Sequence, residues 1–73
     1  MARILVIIEK GDTSYGAYSP DVPGCVAVGD TREEVEKLMR EALQAHLELM
    51  QEANMPLPES QTVVEYMDIP LSA

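Results

Sequence analysis

The chain is 73 residues long, 47% of them hydrophobic, with 13 acidic and 5 basic side chains for a formal net charge of −8. That length accommodates a single domain, expected to span residues 1–73, and the hydrophobic share is that of a globular chain, not a disordered one. The acidic balance argues against a phosphate-backbone ligand, whose affinity comes from lysine and arginine displacing counterions; it favours encounter with a basic partner, although it also serves solubility alone.

Residues 2–9 are rich in β-branched side chains and predict a first strand. Ile4, Val6 and Ile8 would point one way and Leu5 and Ile7 the other, so both faces are apolar and both need cover. The run 4–8 is too short for a signal-peptide core with its cleavage site and far too short to span a bilayer, which makes the cytoplasm the expected location. A polar turn at 10–14 leads to a second strand at 15–19, paired with the first as a hairpin. Pro20, Pro23 and Gly24 cannot continue a ladder and read as a stiff turn or bulge. A short third strand at 25–28 ends at Gly29 and Asp30.

Thr31 followed by Glu34 has capping-box spacing, with Asp30 as a competing cap one residue earlier. Apolar residues then recur at Val35, Leu38, Met39, Ala42, Leu49, Met50 and Ala53, one stripe of a long helix. Asn54 can end that helix, and Pro56 and Pro58 forbid its continuation. A fourth strand is expected at 62–67, closed by Pro70. The predicted order is β-β-β-α-β: an α+β, two-layer fold with a small, mostly antiparallel sheet and one long helix. A single helix covers one sheet face, while the first strand is apolar on both, and Leu43 and Leu47 sit on the helix shoulder. A second copy of the chain is the simplest cover, so a homodimer or higher oligomer is expected, a common remedy for domains of this size.

Few residues offer chemistry. His46, the single histidine, falls near the middle of the apolar stripe; a general base or metal ligand needs company, and Ala42, Leu49 and Met50 cannot supply it. It reads instead as a partly buried or interface histidine. Cys25 has no basic neighbour and no helix N-terminus to lower its pKa, so it reads as a small buried side chain; being unpaired, it fits a reducing compartment. Asp12, Asp21 and Asp30 lie in separate turns, where aspartate is favoured for its own backbone hydrogen bonds. No catalytic, cofactor-binding or metal site is expected, and the chain does not read as an enzyme.

The run Tyr15-Gly-Ala-Tyr-Ser-Pro-Asp-Val-Pro-Gly-Cys-Val-Ala-Val-Gly-Asp-Thr-Arg-Glu-Glu34 resembles the signature of the HicB-like antitoxin family. The pattern is an aromatic strand (Tyr15, Tyr18), then Pro20-Asp21-x-Pro23-Gly24-Cys25, a short strand, Gly29, and Thr31-x-Glu33-Glu34 opening a helix. Glu41-Ala42 and the Pro56-x-Pro58 pair extend the likeness over nearly the whole chain. The resemblance implies a degraded ribonuclease-H-like fold and a protein that binds and blocks a HicA-type toxin, a small basic ribonuclease. Full-length members commonly carry a further DNA-binding domain; this chain stops at Ala73 with no basic extension, so DNA binding is expected to be absent or supplied by another protein. A solitary oligomeric adaptor or regulator of the same fold is the alternative. Pro20, Pro23, Gly24, Gly29 and Thr31 have structural reasons of their own, so the motif reads mainly as a fold determinant. Leu43, His46 and Leu47 are the candidate oligomer or partner surface.

Overall fold

A computed structural model describes residues 2–72. Three strands, β1 (Ile7–Lys10), β2 (Tyr15–Tyr18) and β3 (Val26–Gly29), precede one helix, α1 (Arg32–Glu52). The sheet is antiparallel in the order β1-β2-β3, with Ile8 opposite Ala17 and Ala17 opposite Ala27. Directly opposed residues share a sheet face, so Ile8, Ala17 and Ala27 form one row, and Lys10, Tyr15 and Gly29 the next, both on the side of the helix. The small residues in these rows let α1 approach closely. At Gly29 an added Cβ would lie 3.0 Å from the Val35 backbone nitrogen, so the sheet and the first turn of α1 are nearly in backbone contact.

The core comprises Ala17, Val22, Cys25, Val35, Met39 and Leu43, with Ile4, Val6, Ile8, Tyr15 and Ala27 packed against it. The expected alternation in the N-terminal run is therefore observed. The strand itself is shorter than expected, starting at Ile7 and not at residue 2. Continuing the β1–β2 register by two places sets Leu5 opposite Pro20, which has no N–H to donate. The ladder ends there, and side chains replace it: the Leu5 amide donates to Asp21 Oδ2 (2.9 Å) and the Leu5 carbonyl accepts from Ser19 Oγ (2.7 Å).

Both helix ends are closed. The Thr31 hydroxyl accepts from the Glu34 amide at 3.1 Å, the N-cap bond of the expected capping box. At the other end Asn54 adopts φ 56°, the Asn54 amide donates to the Gln51 carbonyl (3.0 Å) and the Met55 amide to the Met50 carbonyl (2.9 Å). This pair of bonds is a Schellman closure with asparagine in the left-handed position.

Two expectations are corrected. The buried face of α1 runs through Val35, Met39 and Leu43, whereas Leu38 is 38% and Leu49 65% exposed, and His46 faces solvent. A helix of 21 residues is about 30 Å long, while strands of four residues span about 13 Å, so α1 overhangs the sheet and a stripe averaged over its whole length misplaces the contact face. Secondly, residues 62–67 form no strand; among the described residues the sheet has three strands, not four. The segment makes no ladder hydrogen bond to an edge of the sheet, and β propensity without such pairing makes no strand.

Candidate partner-binding surface

The family-like motif sits at the turn between β2 and β3, and its residues act on the backbone. Ser19 is 5% exposed; its hydroxyl donates to the Leu5 carbonyl and accepts from the Asp21 (3.2 Å) and Val22 (3.3 Å) amides. Asp21 anchors Leu5 as described. The Cys25 amide then donates to the Val22 carbonyl at 3.3 Å, closing a turn with Pro23 and Gly24 at its centre. Gly24 has φ 91°, which suits the third position of a type II turn and disfavours any residue with a side chain there. Cys25 is a free, buried thiol. Pro20 and Pro23 lie at the surface, Tyr15 is half-buried against the core, and Tyr18 points to the opposite side of the sheet.

That opposite side carries no helix. Ile7, Tyr18 and Val26 form one cross-strand row on it, with Tyr18 42% and Val26 65% exposed; Val28, also 65% exposed, lies in the next row. Sequence reading missed this patch, and missed Ser19. The signals were present: large and small residues alternate through Val26, Ala27, Val28 and Gly29, and serine before proline and aspartate is turn chemistry.

The outer side of α1 is acidic, with Glu33, Glu34, Glu41, Glu48 and Glu52 exposed. Arg32 is engaged by Glu36 (Nε to Oε1, 2.9 Å), an exposed pair worth only a few tenths of a kcal/mol, about 0.3–0.5. Beyond the sheet, Ile4, Leu43, Leu47 and Leu57 line an open groove of about 620 Å³, with Arg40 and Gln44 on its edge. Of the surface residues expected from sequence, Leu43 is thus a core residue that reaches the groove, Leu47 is half-buried in it, and His46 is exposed.

The acidic and thiol groups do not converge: among the described residues no group of three or more His, Cys, Asp or Glu side chains is placed to hold a metal. Nor is any described helix long and apolar enough to cross a membrane. The molecule is a small α+β scaffold that presents an apolar sheet face and an acidic helix.

The chain matches the family described as "HicB_like antitoxin of bacterial toxin-antitoxin system" over residues 4–71, and it belongs to that family. It is 38% identical over 65 residues to an uncharacterized 14.9 kDa protein of Haemophilus phage HP1, a match covering 89% of this chain and 49% of the phage protein, so the chain spans about half of that relative. It is 32% identical over 65 residues to a UPF0150 protein of Synechocystis, covering 88% of this chain and 82% of the relative. No solved structure matches it significantly.

Proposed function

We propose that this chain binds and neutralises a small basic toxin ribonuclease of the HicA type, in the cytoplasm and without catalysing a reaction. Membership of the HicB-like antitoxin family carries the reading. The net charge of −8 and the row of exposed carboxylates on α1 support it, because complementary charge speeds encounter with a basic protein and disfavours acidic competitors. The row of half-buried Ile7 with exposed Tyr18 and Val26 supplies apolar area of the kind that forms the centre of an interface. The test is a tagged capture from native cells with the bound proteins identified by mass. A small basic protein that cleaves RNA and loses that activity on adding this chain supports the reading; capture of no such protein contradicts it.

The second reading is a solitary oligomeric adaptor of the same fold, favoured by the unpaired apolar residues after the helix. Under it, the bait recovers only copies of itself.

A further inference from the structure

Three of the four glycines have a reason within the fold. Gly24 holds φ 91°, an added Cβ at Gly29 would meet the Val35 nitrogen at 3.0 Å, and one at Gly11 would meet the Ser14 carbonyl oxygen at 3.3 Å. Gly16 has none of these. It lies inside β2, the central strand, its φ is not positive, and an added Cβ would find no atom within 4 Å. Glycine inside a strand weakens it and often marks a place where a ligand or another chain comes close.

The vacancy opens on the sheet side that carries no helix. Glu9, Gly16 and Val28 form one cross-strand row there, beside the row of Ile7, Tyr18 and Val26. Neighbouring strands lie about 4.8 Å apart, so Glu9 and Val28 stand about 10 Å apart with only a glycine between them. That leaves room for one side chain. Its surroundings differ in chemistry: Val28 is an apolar flank, Tyr18 is an aromatic one two residues along β2, and exposed Glu9 is the single charge in the two rows. Lys10 belongs to the helix side, and Arg3, on the bare side by strand alternation, lies six residues from Glu9, about 20 Å along the chain.

An apolar flank, an aromatic ring and a carboxylate around an empty slot suit a long cationic side chain. Its stem lies over Gly16 against Val28, its charged end reaches Glu9, and the Tyr18 ring favours the cation beside it. We propose that the bare sheet face is where the basic partner docks, with one arginine or lysine of that partner filling the slot over Gly16. This rests on the antitoxin reading and locates its contact. Charge complementarity selects the occupant, since a second copy meeting this face with its own brings another Glu9 and no lysine or arginine from these rows. The carboxylates on the outer side of α1 lie across the molecule from the slot, where they steer encounter without entering the contact.

The probe is the purified small basic protein recovered by tagged capture, with its binding to the full chain followed by surface plasmon resonance. Gly16→Val, which fills the slot, is expected to keep or raise the melting temperature of the free chain while weakening binding about tenfold or more, and Glu9→Arg to weaken it likewise. Glu41→Arg, on the outer side of α1, should slow association and leave dissociation unchanged. Replacing each lysine and arginine of the basic protein by alanine should find one whose effect is less than additive with that of Glu9→Gln. A Gly16→Val chain that melts below wild type overturns the proposal, because the glycine then serves the fold. Undiminished binding by both sheet variants, or full additivity at every cation, also overturns it and leaves the antitoxin reading standing. Variants that change the sedimentation mass of the free chain but not its affinity for the basic protein assign the face to a second copy instead. Capture of no basic protein removes the antitoxin reading and this proposal with it.

Discussion

Leu5 and Asp21, sixteen residues apart, are joined by a 2.9 Å hydrogen bond in which the Leu5 amide donates to Asp21 Oδ2. The carboxylate stands where Pro20 has no N–H to extend the β1–β2 ladder, and the Ser19 hydroxyl completes the substitution at the Leu5 carbonyl. Two side chains that flank Pro20, those of Ser19 and Asp21, thus hold the N-terminal segment to the sheet. The segment's Ile4 and Val6 are packed on the core as a result.

Replacing Asp21 by alanine leaves the Leu5 amide without its partner and is expected to cost about 1.5–3 kcal/mol, the range for a hydrogen bond to a charged group. Asp21→Asn keeps an acceptor oxygen and should lose less. Urea denaturation followed by circular dichroism reads both; equal stability of wild type and Asp21→Ala contradicts the role.

Much of this arrangement is legible in the sequence, and the rest fails for stated reasons. Thr31 with Glu34 marks the helix start, Asn54 its end, and the alternation of Ile4, Val6 and Ile8 the core face, because each is a local rule satisfied locally. The position of His46 was misread since periodicity reports a helix's apolar side but not how much of that side the sheet reaches. The Ser19 and Asp21 bonds depend on a register that places Leu5 opposite a proline, and no single-strand pattern contains a register. The segment 62–67 has the composition of a strand, yet pairing needs an edge that composition does not specify.

Gly29→Ala should destabilise by about 1–3 kcal/mol, the usual cost of overpacking, because the new Cβ meets the Val35 nitrogen at 3.0 Å and backbone must move. The cause is contact between sheet and helix, so thermal unfolding should shift while secondary structure below the transition is retained. An unchanged melting curve would mean that α1 sits farther from β3.

Met39, 1% exposed, and His46, which faces solvent, separate packing from surface on one helix. Met39→Ala is expected to cost about 2–5 kcal/mol as a core truncation. His46→Ala should stay within about 0.5 kcal/mol, the range for a surface change. Parallel denaturant titrations check both, and a large loss for His46→Ala would place it in a contact this fold does not show.

The most direct test of the antitoxin reading is an RNA-cleavage titration with the small basic protein captured by this chain. Cleavage is expected to fall steadily as the chain is added and to stop at a fixed ratio of the two proteins, with the heat-unfolded chain giving no protection. Cleavage that continues at saturating amounts of the folded chain would contradict the account and leave the fold as an oligomeric adaptor.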